Sequence, residues 1–290
     1  MSDPQAKRTL LAACLMTGSM SAIAIIDSIA KQLAVRLHGV QVTWGYFLGM
    51  LLCLLVVVCV RGVPLRHLTH SHRPQWQLVR ALCLMASLSL LFFSLRFLPL
   101  AEATTIGFTA PLFIVALAGP MLGEKAGARR WGAVLLGMLG AIIVMRPGMG
   151  LLHWSSLLAL LGAFFFALFN VVTRKLGSTE RSWTTLFYSF SIGVVLLSLV
   201  MPAVWVTPDL FEWSLFAVCG VLGLTAHFSL FRALTLADAS VLAPLNYVRL
   251  IWAIGIGWFH FGDIPDTVTL VGGGITVASG LYVLTSVRRR

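Results

Sequence analysis

The sequence predicts an all-α integral membrane protein of ten transmembrane helices, laid out as two inverted five-helix repeats. Three observations carry that prediction: the hydropathy of the whole chain, the spacing of its polar breaks, and a similarity between its two halves. Of 290 residues, 59% are hydrophobic and only 11% charged, and the mean hydropathy is +0.93. A water-soluble fold cannot cover its surface with so few charges. A bilayer core about 30 Å thick takes roughly 20 apolar residues per helix at 1.5 Å rise. The chain divides into ten runs near that length with short polar breaks, which leaves no stretch for a separate soluble domain.

The spans of the first half are expected at 10–30, 40–60, 75–95, 101–123 and 131–145, so the first repeat occupies residues 1–148. The second repeat, residues 149–290, is expected to place its spans at 154–172, 184–204, 213–231, 239–261 and 267–287. Lys7 and Arg8 lead into a full-length first span, so no cleaved signal is expected. Pro111 and Pro244 lie inside the fourth and ninth spans, where each removes a helical hydrogen bond and favours a kink. The fifth span carries Ala133, Gly137 and Ala141, and the tenth Gly272, Thr276 and Gly280. Small residues at that spacing let helices approach closely and read as scaffold contacts in a monomer, with a homodimer interface as the alternative.

A net charge of +11 would suggest nucleic acid in a soluble protein, but the cations lie in alternate connections. Lys7, Arg8, Arg61, Arg66, Arg73, Lys125, Arg129, Arg130, Arg174, Lys175, Arg181, Arg232 and Arg288 to Arg290 share one side, whereas Lys31, Arg36, Arg96 and Arg146 fall on the other. The positive-inside rule then puts both termini in the cytoplasm of a multi-pass protein of the cell (inner) membrane. Its basic loops face anionic lipid headgroups, and no nucleic-acid partner is expected. Cys14, Cys53, Cys59, Cys83 and Cys219 all fall within spans at no metal-ligand or redox spacing, so no metal site is expected.

Sliding one half along the other gives three registers in order. An offset of 136 sets Arg96, Leu100, Ala101, Glu102 and Ala103 on Arg232, Leu236, Ala237, Asp238 and Ala239. An offset of 143 sets Asp27 on Asn170 and Lys31 on Arg174, and one of 139 sets Gly123-Glu124 on Gly262-Asp263. Because five is odd, the second repeat enters the membrane from the opposite face. Inverted repeats are a recurring plan of secondary transporters, in which exchanging the conformations of two similar halves exposes a midplane site to either side.

The runs Asp27 to Lys31 (DSIAK), Thr109 to Phe113 (TAPLF) and Ala243 to Ala253 (APLNYVRLIWA) resemble the ten-helix EamA branch of the drug/metabolite transporter superfamily. So do the pairing of Gly123-Glu124 with Arg130-Trp131-Gly132 and the later Phe261-Gly262-Asp263. Within that branch the sequence is similar to S-adenosylmethionine transporters around Asp27, Arg80, Ala243-Pro244 and Tyr247. The resemblance implies export or exchange of a small metabolite, often an amino acid, without ATP or cofactor.

Arg249 is the sharpest local clue, since a charge near the midplane costs at least about 2.5 kcal/mol on insertion scales and is usually functional. Asn246, Arg249 and Trp252 recur at helical spacing, which puts a donor, a forked cation and an apolar plate on one face suited to a carboxylate beside an apolar group. The alternative is that Arg249 pairs with Asp27 or Asn170 and locks the bundle. Tyr247 and Phe108 are candidate aromatic walls. Asp27 and Lys31, one turn apart, read either as a self-neutralising pair or as a gate. Glu102 and Asp238 start helices, where a carboxylate complements the dipole. His227, deep in a span, is a candidate proton carrier or a packing residue. Arg80 either snorkels to headgroups or lines an inner vestibule.

These residues support a non-enzymatic carrier of a small polar molecule, with an amino acid or other carboxylate as the first expectation and a cationic metabolite such as S-adenosylmethionine as the second. A channel or structural protein is the alternative of another class. No H-E-x-x-H, G-x-S-x-G or Walker loop occurs in the chain.

Overall fold

A computed structural model describes residues 4–64, 66–122, 128–145, 154–176, 180–236, 245 and 248–287. Every regular element among them is helical. In chain order they are α1 (Pro4–Ala34), α2 (Gly39–Val60), α3 (Arg66–Thr69), α4 (Pro74–Ser94), α5 (Leu100–Gly107) and α6 (Ala110–Leu122). There follow α7 (Ala128–Met145), α8 (Trp154–Leu176), α9 (Ser182–Val204), α10 (Leu210–Leu236), α11 (Val248–Phe261) and α12 (Thr267–Val287). Seven stretches are long and apolar enough to cross a membrane, while the apolar parts of α7, α11 and α12 are shorter.

Each expected span has its helix, with three differences. A short helix, α3, interrupts the connection before α4. The fourth span is broken, with α5 ending at Gly107 and α6 starting at Ala110. Pro111 cannot supply the donor that the Gly107 carbonyl would receive in a continuous helix, yet near the start of α6 its missing N–H costs nothing. Thr109 bridges the break: its N–H (3.0 Å) and hydroxyl (2.7 Å) donate to the Ile106 carbonyl, and its own carbonyl receives Leu112 and Phe113. For the ninth span the described helix begins at Val248, and Ala239 to Pro244, Asn246 and Tyr247 lie outside the described residues.

The packing reveals the repeat. α1 packs on α10 as α8 packs on α4, and α2 packs on α10 as α9 packs on α4. α11 lies on α1 as α5 and α6 lie on α8, while α2 with α9, α7 with α12 and α5 with α11 are self-related pairs. Exchanging the first five spans with the second five leaves these neighbours unchanged. That is the signature of a two-repeat fold with a pseudo-twofold axis, and the odd helix count makes the repeats inverted.

Lipid tails are as apolar as leucine, so helix association in a membrane depends on close packing more than on burial. Two seams show this. α2 and α10 cross backbone to backbone, and a Cβ at Gly220 would fall 2.4 Å from the Gly49 carbonyl carbon. α7 and α12 meet at Gly140 and Gly272, where a Cβ on Gly140 would lie 2.7 Å from the Gly272 oxygen. Thr276 donates to Gly137 O (3.3 Å) across that seam, so the small-residue stripes are used inside the chain as scaffold contacts.

Gly220→Ala is expected to destabilise the detergent-solubilised protein by about 1–3 kcal/mol, because the obstructing atoms are backbone and cannot rotate away. Gly18→Ala, with nothing within 4 Å, is the control and should melt with the wild type. Equal thermal midpoints for both variants would contradict the close crossing.

Candidate functional site

The seam between α1 and α11 joins the first helix of one half to the fourth of the other. Arg249, in the first turn of α11, donates Nε–H to Asp27 Oδ2 at 2.7 Å, and its Nη2 approaches the same oxygen at 2.6 Å. The Asp27 side chain is 7% exposed. Lys31 does not pair with Asp27 one turn away; it forms an ion pair with Asp263, just beyond α11, and lies 4.8 Å from the Phe261 ring centre. An i,i+4 pair contributes only about 0.2–0.5 kcal/mol on a helix. A buried carboxylate gains more from a guanidinium fork that tertiary packing brings to it. Farther along the seam, Trp252 donates Nε1–H to Ser21 Oγ at 2.8 Å.

The same end is clamped beyond the helices. Arg36, between α1 and α2, forms an ion pair with Glu212 of α10 and donates to Thr207 O at 3.0 Å. Gln41 exchanges two bonds with the backbone of Val206, at 2.6 and 3.0 Å. At the opposite end the roles of the halves reverse. Thr184, 143 residues after Gln41, donates to His67 O at 2.7 Å, and Tyr188 donates to Thr69 O at 2.9 Å. Glu180 Oε1 there receives Ser71 Oγ–H and the N–H groups of His72 and Arg73, within 3.0 Å. Beside this second clamp lies a cavity of about 330 Å³ lined by Arg66, His67, His70, His72, Glu180 and Arg181.

Arg80 is turned into the bundle and is 5% exposed, which excludes snorkelling. Its Nε–H donates to Thr173 Oγ1 at 2.7 Å, and Nη1 bonds Thr185 O (3.2 Å) and Ser189 Oγ. The guanidinium carbon stands 4.4 Å from the Phe169 ring centre.

The remaining expected residues are dispersed. Asn170 donates to Phe166 O in its own helix at 2.7 Å. Phe108 is buried in the break between α5 and α6, and Glu102 sits in the first turn of α5, where a carboxylate suits the dipole. His227 on α10 faces Phe190, with ring centres 6.4 Å apart. Asn246 and Tyr247 lie outside the described residues. Among the described residues no group of histidine, cysteine and carboxylate side chains could hold a metal ion. The sequence reading missed Gln77, Asp263, Arg36, Glu212 and Glu180 as participants. Only the spacing of Gln77 and Arg80, three apart on one helix, could have drawn attention to the first.

Two inverted five-span halves, with an ion pair bridging them inside the bundle, define a carrier-type membrane fold. The chain belongs to the EamA-like transporter family, which it matches over residues 10–146 and 153–285. It is 28% identical over 263 residues to an S-adenosylmethionine uptake transporter of Rickettsia conorii, covering 91% of this chain and 88% of that one. It is 25% identical to a riboflavin transporter of Vibrio cholerae, covering 90% and 89%. A pseudopaline exporter of Pseudomonas aeruginosa is 27% identical over 65% of this chain and 67% of its own. A solved crystal structure, 17% identical, superposes with a TM-score of 0.66 over 98% of both chains and shows the same fold.

One titrating group stands at the clamped end. His38 caps α2 by accepting Val40 N–H on Nδ1 at 3.3 Å. Burial, and then the charge of Arg96, push its pKa below the usual histidine range. The unfolded chain therefore binds the proton more tightly, so the contribution of His38 is complete above about pH 6.5 and is lost as pH falls through the lowered value. His38→Asn keeps a capping acceptor without a titration. Its melting temperature is expected to fall less than that of the wild type between pH 7.5 and 5. Identical profiles would show that another group titrates.

Proposed function

We propose that this transporter carries a small metabolite bearing a carboxylate, an amino acid foremost, across the cell (inner) membrane by alternating access, in export or exchange. The transporter class follows from the family. The observation that supports it is the buried Asp27–Arg249 pair bridging the two repeats. Ionised groups inside a membrane bundle are costly and mark substrate paths or gates. A zwitterion offers Arg249 a carboxylate and Asp27 an ammonium group, so it replaces the ion pair contact for contact and releases the seam.

One end is bridged by the ion pairs Lys31–Asp263 and Arg36–Glu212, and the end bearing α3 has a cavity. The positive-inside rule makes the second end cytoplasmic, with both termini on that side. Residues 1–148 and 149–290 are then the bodies that rock against each other, in a monomer that needs neither ATP nor cofactor. S-adenosylmethionine is the second reading, favoured by relatives of that name that cover 91% of the chain. It carries the same α-amino carboxylate with an added cation. A channel would show conductance where a carrier shows saturation and counterflow.

In proteoliposomes Arg249→Ala is expected to lower uptake of the transported amino acid at least tenfold. Breaking a buried pair by removing one partner costs about 3–5 kcal/mol, so the single variant should also melt early. Asp27→Asn combined with Arg249→Gln should recover the melting temperature and not the transport. Wild-type rate and apparent affinity in Arg249→Ala would remove the pair from the substrate path.

A further inference from the structure

We propose that Arg80 and Gln77 form a second subsite, for an α-amino carboxylate group, toward the end of the bundle that bears α3. It rests on the carboxylate reading above and deepens it. Lys31, Arg36 and Arg249 each have a carboxylate partner. Arg80 contacts only neutral oxygens among the described residues, those of Thr173, Thr185 and Ser189, and its Nη2 makes no hydrogen bond with them. A desolvated cation of this kind calls for an anion.

Gln77 supplies the second observation. It is 0% exposed, its Nε2 donates to Thr185 Oγ1 at 3.3 Å, and its Oε1 has no hydrogen-bond partner among the described residues. Gln77 and Arg80 are three apart on α4 and so share a face, and both reach Thr185. A donor with spare capacity thus stands beside an unused acceptor. A guanidinium edge receives a carboxylate, and an amide oxygen receives the ammonium group on the adjacent carbon. Phe169 covers one face of the guanidinium, so a ligand would meet its Nη2 edge.

The subsite is separate from the α1–α11 seam. Arg80 donates to Thr185 O, one residue from Thr184 at the α3 end, whereas Asp27 pairs with Arg249 of α11 and shares no partner with Arg80. The cavity lined by Arg66, His67, His70, His72, Glu180 and Arg181 lies at the nearer end, where Thr184 joins α9 to the His67 carbonyl. While Asp27 occupies Arg249, as here, Arg80 is, among the described residues, the buried arginine left for a carboxylate; when the seam opens, Arg249 becomes available. Each end state thus presents the cargo with one arginine.

The test is equilibrium binding to purified full-length protein of L-methionine, S-adenosyl-L-methionine and their decarboxylated and deaminated analogues. The wild type is expected to prefer the intact α-amino acids at least tenfold over either analogue. Arg80→Gln should abolish discrimination against the decarboxylated form, and Arg80→Lys should restore part of it. Gln77→Leu should abolish only discrimination against the deaminated form. Wild-type discrimination in Arg80→Gln, or a lowered melting temperature without a change in discrimination, would assign Arg80 to packing and overturn the subsite while leaving the carboxylate reading intact. If the wild type bound none of these probes and carried riboflavin instead, the cargo class and the subsite would fall together.

Discussion

Asp27 is ionisable, 7% exposed and buried in a bundle surrounded by hydrocarbon, and the guanidinium of Arg249 is what makes that placement tolerable. The pair ties α1 of the first repeat to α11 of the second, and the order of the seam follows from it. Lys31 is freed to reach Asp263, and Trp252 lies across to Ser21. Without Arg249, the Asp27 charge would stand unpaired at 7% exposure. The seam is thus held by an ion pair that runs from one repeat to the other.

The symmetry-related seam has other chemistry. Between α8 and α6 the contact is aromatic, Phe113 edge-on to Phe164 with ring centres 5.5 Å apart. Asn170, which stands where Asp27 does under the 143-residue offset, turns back to its own helix. Dispersion and an edge-to-face contact hold that seam, at about 0.5–1.5 kcal/mol beyond the area buried. Two halves alike in backbone thus close with unlike forces.

The connections keep more of the symmetry. Gln41 and Thr184, at the starts of α2 and α9, each hold the backbone of a connection from the other half. The capped loops differ in charge logic. One is drawn in by Arg36 meeting Glu212, the other by Glu180 gathering N–H groups ahead of α4. Glycine contacts, Gly49 with Gly220 and Gly140 with Gly272, keep the scaffold helices at backbone distance.

Much of this was legible in the primary structure, because lipid imposes one solvent on nearly every span. Helix number, order and approximate ends follow from apolar run length, and the inverted plan follows from an internal repeat with an odd helix count. Arg249 was visible as a charge where charges are expensive, and Asp27 was one of two partners open to it. The choice between them, the release of Lys31 to Asp263, and the inward turn of Arg80 were not visible. A one-dimensional pattern shows which side chains share a helix face; it does not show which distant face packs against it. Burial and ion pairing depend on that second fact, so tertiary packing alone decided which charges met and which acceptor, Gln77 Oε1, was left without a donor.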